Sequence, residues 1–149
     1  ASSTELYAIL SSLAEIVIDQ GIAVTGSVNQ KGEVQAIGGV NQKVEGFFEV
    51  CRTKGITGRQ GVMIPQANVQ NLMVSRDVLK EVKKGKFNIW SVASIEEGIE
   101  ILTGVVAGKA DKNGDYPEKS VFGRVQKKLK CYLEQQFRLK KEFGGEESE

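Results

Sequence analysis

Lys43 stands one turn before Phe47, at the margin of an apolar stripe formed by Val40, Val44, Phe47, Phe48 and Cys51. Directly ahead of it lies Gly38-Gly39-Val40, a pair of glycines that lets the backbone turn tightly into a helix. Desolvation at such a margin lowers the pKa of an amine, and a neutral amine beside a serine hydroxyl can serve as general base without histidine. The other reading is a snorkelling lysine whose stem covers the core while its ammonium stays in water. The chain has no histidine. That excludes Ser-His-Asp and Cys-His catalysis, histidine-bearing zinc sites and imidazole shuttles, and leaves Lys, Asp, Glu or Tyr as the base of any enzyme.

Other residue groups fail the chemistry they suggest. Gly104-Val105-Val106-Ala107-Gly108-Lys109-Ala110 is one residue short of a phosphate loop and lacks the hydroxyl that would hold magnesium. Asp111, Asn113 and Asp115 occupy the first ligand positions of an EF-hand loop, but Tyr116 and Phe122 stand where its Gly and bidentate Glu are required. Cys51 and Cys131 belong to no Cys-x-x-Cys pattern, as expected of idle thiols in a reducing compartment. With 20 basic and 19 acidic residues the formal charge is +1, so no polyanionic partner is indicated overall. The lysines at 127–130 and 139–141 are interleaved with Glu134, Glu142 and apolar residues, which suits the wet face of a helix. No segment is long and apolar enough to span a bilayer and no leader is evident, so a soluble, cytoplasmic chain is expected.

The elements that must position these residues are set by periodicity. Leu6, Ile9, Leu10, Leu13 and Ile16 predict an amphipathic helix over 3–19. Ser2 and Glu5 fit a capping box at its start. A β-hairpin is expected, with strands 22–28 and 33–37 about the turn Asn29-Gln30-Lys31-Gly32. A second helix runs from Val40 to Gly55, succeeded by a strand at 61–65, a polar connection, a helix at about 76–84 and a strand at 87–92. Strand, helix, strand implies a parallel pair. Ser94-Ile95-Glu96-Glu97 caps a further helix whose Ile95, Ile99 and Leu102 face the sheet. The fold class is therefore α/β (α+β), with a mixed sheet containing a β-hairpin and a βαβ unit. A folded domain at 1–103, a glycine-bearing linker at 104–118 and a charged helix with an acidic tail at 119–149 complete the expected organisation.

The run Gly21-Ile22-Ala23-Val24-Thr25-Gly26-Ser27-Val28, the turn ending at Gly32, and Ile37-Gly38-Gly39-Val40-Asn41-Gln42-Lys43-Val44-Glu45-Gly46 resemble the proteolytic domain of Lon-type ATP-dependent serine proteases. Gly61-Val62-Met63-Ile64-Pro65 continues the likeness, which covers roughly residues 1–103. The resemblance implies a ribosomal S5 domain 2-like fold and a Ser-Lys catalytic dyad, with Lys43 in the lysine's place. Thr25 matches the threonine beside that lysine, where its hydroxyl could accept or donate a hydrogen bond; it is equally an ordinary β-branched strand residue.

The family serine precedes an alanine at a helix start. Ala1-Ser2-Ser3-Thr4 resembles the residues just after that serine, so the nucleophile is expected one position before Ala1, and neither Ser2 nor Ser3 takes its role. Oxyanion donors are expected from backbone N–H groups near Ala1. On this resemblance, the chain corresponds to the C-terminal portion of the domain and is expected to be inactive alone. No cofactor is implied in this chain, since ATP and magnesium belong to a separate AAA+ module of the family. Protein or peptide substrates and a ring-shaped homo-oligomer, a hexamer in the family, are implied; membrane and nucleic-acid partners are not. The alternative is a non-catalytic interaction or oligomerisation module docking through Val121, Val125, Leu129 and Tyr132 of the C-terminal helix.

Overall fold

The computed structural model describes residues 2–144. Ala1, near which the oxyanion donors are expected, and the acidic tail from residue 145 lie outside the described residues. In chain order the elements are α1 (Ser3–Ala14), β1 (Ile22–Val24), β2 (Ser27–Val28), β3 (Val34–Gln35), α2 (Val40–Lys54), β4 (Gly61–Pro65), a 3₁₀ segment (Gln66–Asn71), α3 (Arg76–Lys83), β5 (Asn88–Val92), α4 (Ile95–Thr103) and α5 (Val121–Phe143).

Every residue of β4 is buried, as expected of a strand with apolar layers on both faces. It is the middle strand of a parallel sheet ordered β1-β4-β5, in register Ala23–Val62 and Val62–Ile89. Alternation along β4 divides the core. Met63 enters a cluster with Tyr7, Leu10, Val92, Ile99 and Val121 beneath α1, α4 and α5. Val62 and Ile64 enter the opposite cluster with Val44, Phe48, Val78 and Phe87 beneath α2 and α3. Phe48 and Phe87 meet edge to face, ring centroids 5.2 Å apart, which ties α2 to the start of β5. The mixed α/β architecture expected from the sequence is present, and the βαβ unit is β4-α3-β5.

Three local expectations change. The helix expected over 3–19 ends at Ala14, because Glu15 adopts a left-handed backbone (φ 55°) and turns Ile16 and Ile18 back onto the core. The strand expected over 22–28 breaks at Thr25-Gly26: Gly26 takes φ 114°, which side chains disfavour, and a Cβ there would stand 2.9 Å from Val34 Cγ1. Its first half pairs parallel with β4, and only Ser27–Val28 forms the antiparallel hairpin, with Val34–Gln35 rather than the whole of 33–37. Ser2 holds the N-cap position of α1 with no side-chain cap bond; its backbone instead bridges Ser27, so the Ser2–Glu5 capping box does not form. At α4 the cap does form: Ser94 Oγ accepts from the Glu97 N–H at 3.3 Å, and the Glu97 carboxylate accepts from the Ala93 N–H at 3.1 Å.

Parts of residues 104–120 are tied to the core, and 109–115 are exposed. Ala107 is buried, its N–H donates to the Glu100 carboxylate at 2.9 Å, and the carbonyls of Val106 and Ala107 accept from the N–H groups of Val121 and Phe122. Asp111 Oδ1 accepts from the N–H groups of Asn113 and Asp115, a tight solvated turn. Val121 is fully buried and Val125 half-buried in the domain's own core, so only the later part of the stripe expected to dock, from Leu129 and Tyr132 onward, is exposed.

Tyr7 is the tightest point of the α1–α4 contact. Its hydroxyl is buried with no hydrogen-bond partner among the described residues, and a Cβ added at Gly98 would fall 1.8 Å from it. Gly98→Ala is therefore expected to destabilise the protein by about 1–3 kcal/mol in urea unfolding, since a packed helix contact must open. Burial first, then the charges of Glu96 and Glu97, push the Tyr7 phenol from 10.0 up to about 12. Between those values the unfolded chain has lost the proton and the folded one keeps it, so stability falls as pH rises through the window. Tyr7→Phe is expected to match or exceed the parent's stability at neutral pH. It is also expected to escape a loss of about 2–3 kcal/mol that the parent suffers between pH 10 and 12, measured by urea unfolding at each pH.

Candidate active site

Thr25 comes directly after the last residue of β1 and is buried. Both its N–H (3.1 Å) and its Oγ1 (2.7 Å) donate to the Met63 carbonyl on β4. A threonine hydroxyl has one proton to give and two lone pairs. With the proton committed to Met63, Thr25 can serve a neighbouring amine only as an acceptor.

The next residue is the bend at Gly26, and its carbonyl receives two bonds from the start of α1: the Ser3 N–H at 3.3 Å and Ser3 Oγ at 2.8 Å. Ser3 is fully buried, and Ser2 bridges Ser27. The first turn of α1 is thus fastened onto Thr25-Gly26-Ser27, and this segment is fastened through Thr25 to the central strand. Gly26 makes both attachments possible, because its positive φ redirects the chain from the sheet to the hairpin within one residue.

Lys43 is the fourth residue of α2, its N–H bonded to the Gly39 carbonyl at 3.1 Å. Gly39 adopts φ 68° as the N-cap, the conformation the glycine pair is expected to supply. The side chain is exposed, and its ammonium has no hydrogen bond or ion pair among the described residues. Of the two readings of Lys43, partial burial is not found and the side chain stays exposed. The buried stripe of α2 is Val40, Val44, Phe48 and Cys51, and Lys43, one residue before Val44, falls outside it at the open end of the helix. Thr25 and Lys43 are not joined by a hydrogen bond.

A set of polar residues that the periodicity of the sequence does not reveal holds the start of α2. Asn68, in the 3₁₀ segment after β4, is 4% exposed; its Oδ1 accepts from the Ile37 N–H (2.9 Å) and its Nδ2 donates to the Ile37 carbonyl (3.0 Å). Asn41 Nδ2 donates to the Asn71 carbonyl (3.2 Å) and Asn41 Oδ1 accepts from the Met73 N–H (2.7 Å). The Glu45 carboxylate accepts from the Ser75 N–H (2.5 Å) and Ser75 Oγ (3.0 Å). The only advance signal is a polar stretch directly after an apolar strand; its partners lie about thirty residues away and become visible only in the fold.

Among the described residues no group of three or more His, Cys, Asp or Glu side chains could hold a metal, and no helix is long and apolar enough to cross a membrane. The free Cys131 is exposed on α5, whereas Cys51 is buried on α2 and burial pushes its thiol pKa up, opposite to what a reactive thiol needs.

Comparison with known proteins agrees with this arrangement. The family model described as the Lon protease (S16) C-terminal proteolytic domain matches residues 1–104. A putative Lon protease homolog of Escherichia coli K12 is 45% identical over 106 residues, 71% of this chain and 18% of that protein. One from Haemophilus influenzae is 44% identical over 121 residues, 80% of this chain and 20% of that protein. The archaeal Lon protease of Thermococcus kodakarensis is 36% identical over 133 residues, 89% of this chain and 18% of that protein. The chain spans a fifth or less of the length of these relatives. With most of its length matched, and with a buried Thr-Gly bend on the central sheet and a Gly-Gly start to α2, this chain belongs to the Lon protease C-terminal proteolytic domain family.

Proposed function

We propose that the chain is the lysine-bearing part of a serine endopeptidase acting on proteins through a Ser-Lys dyad, with Lys43 as the base and the serine contributed by the residue preceding Ala1. The observation that supports this reading is the fastening of the α1 start to Thr25-Gly26-Ser27 by Ser3 and Ser2. The first turn of α1 is thereby held against the segment that carries the buried threonine, and the exposed ammonium on α2 has no partner among the described residues. Neutral Lys43 would remove the serine proton as its Oγ attacks the peptide carbonyl. The oxyanion would be held by backbone N–H groups at the start of α1, and the proton would pass to the departing amine to leave an acyl-enzyme that water hydrolyses. Lys43 is exposed in this chain, so the desolvation that favours its neutral form is assigned to the peptide and protein surface that close over it. Thr25 acts as an acceptor that orients the amine.

In this reading ATP and magnesium are used only by a separate AAA+ module, the protein works in the cytoplasm, and copies assemble into a ring. A non-catalytic interaction module is the second reading. It is favoured by α5, where Leu133, Phe137 and Phe143 are 58%, 68% and 72% exposed beyond the core.

Lys43→Ala removes an exposed, unpaired side chain and is expected to change stability by less than about 0.5 kcal/mol. In a longer form of the protein that includes the upstream serine, it is expected to abolish peptide hydrolysis with an unchanged circular dichroism spectrum. Hydrolysis that persists would remove the dyad and leave the interaction module. Thr25→Val loses the buried hydroxyl bond to Met63 and is expected to cost about 1 kcal/mol in urea unfolding. In the longer form it is expected to lower kcat by about tenfold or more, while Thr25→Ser, which keeps the acceptor, retains activity. Equal activity in Val and Ser variants would make Thr25 a strand residue only.

A further inference from the structure

The start of α2 is preceded by Gly38-Gly39, two residues with little resistance to rotation, so the approach to the helix is fixed by Val40 and Val44 in the core and by polar bonds from outside. Asn68 holds both backbone groups of Ile37, the last residue before the glycines, and residues 71–75, which follow it, hold Asn41 and Glu45, which bracket Lys43 on α2. Asn41 and Glu45 are not buried, and water can replace their bonds in part. Asn68 is buried, and removing its amide strands an N–H and a carbonyl that have been taken from water.

Asn68 lies three residues beyond β4, the same strand whose Met63 carbonyl fixes Thr25. A strand and the 3₁₀ segment that directly follows it therefore register both residues: Thr25 through a main-chain carbonyl and the approach to Lys43 through a side-chain amide.

We infer that Asn68 is a positioning residue for Lys43, an amide clamp that sets the angle at which α2 leaves the glycine turn and so the place of the amine in the site. The inference rests on the reading of Lys43 as the base of the dyad. Asn68 touches no reacting atom in this scheme; its effect passes through Ile37 and the first turn of α2.

Asn68→Asp is the conservative probe. It keeps the shape and the acceptor for the Ile37 N–H, but replaces the donor to the Ile37 carbonyl with a repelling oxygen. In the 149-residue chain, Asn68→Asp and Asn68→Ala are expected to speed amide hydrogen exchange at Ile37 and Lys43, whose N–H groups are bonded, by about tenfold or more, leaving Val62 and Ile64 on β4 unchanged. In the longer form that includes the serine, Asn68→Asp is expected to lower kcat by about ten- to a hundredfold with KM within about twofold, as for a displaced catalytic group.

Unchanged exchange at Ile37, or a rise shared equally by β4, would overturn the clamp. Cleavage that disappears with Lys43→Ala but survives Asn68→Asp would overturn the positioning role alone. Cleavage that survives Lys43→Ala would overturn the dyad reading and the catalytic part of this inference with it, while the exchange pattern still reports whether Asn68 holds the turn.

Discussion

Strand β4 has no face turned to water, and that single constraint organises the molecule. A strand buried on both sides must satisfy its backbone in the sheet and its side chains in two separate cores. Its neighbours β1 and β5 supply the first requirement, and α1, α4 and α5 on one side and α2 and α3 on the other supply the second. Gly61 opens the strand because a Cβ there would lie 2.2 Å from the Asn88 carbonyl oxygen on β5. Thr25 is fixed by this strand and the start of α2 by the segment that follows it.

The attachments run by different chemistry on the two sides. Thr25 is held by a backbone carbonyl in the middle of β4, a bond that any residue at position 63 could accept with equal geometry. The α2 start is held by amide and carboxylate side chains reaching from and to the segment after Pro65, bonds that depend on residue identity. The first arrangement tolerates side-chain change at position 63 within the limits of packing. The second is sensitive to single atoms, because an asparagine that pairs with both groups of one residue has no isosteric substitute with the same donor and acceptor.

The C-terminal helix illustrates how one amphipathic stripe is divided between two uses. Its first two turns complete the core that Tyr7 and Leu10 begin, with Ser120 Oγ capping the Gly123 N–H at 3.0 Å. The Lys128 ammonium reaches Glu15 at 3.1 Å, and the pairing holds the lysine pKa above its ordinary value. Because the pair is open to solvent, it adds little to stability. Beyond Leu129 the same stripe leaves the core, and its apolar residues stand in water.

The order of the elements was legible in the sequence because periodicity is local. Val40, Val44, Phe48 and Cys51 mark a helix, five apolar residues from Gly61 mark a buried strand, and the Gly-Gly pair declares where the backbone must bend, whereas the bend at Thr25-Gly26 is hidden within what reads as one strand. The family, the glycine-led start of α2 and the place of Lys43 on that helix came from the same signals. Tertiary structure alone decided the quantities set by neighbours distant in the chain. Whether Lys43 is covered depends on the surroundings of the open end of α2. Which way the Thr25 hydroxyl points depends on a carbonyl 38 residues later. Whether Ser2 caps its helix depends on a strand that offers it a backbone bridge instead. Asn68 reads in the sequence as one polar residue of a connection; it becomes a clamp because folding buries its amide beside the backbone groups of Ile37. Local propensity specifies the elements, and the satisfaction of buried polar groups across long separations determines how they are held together.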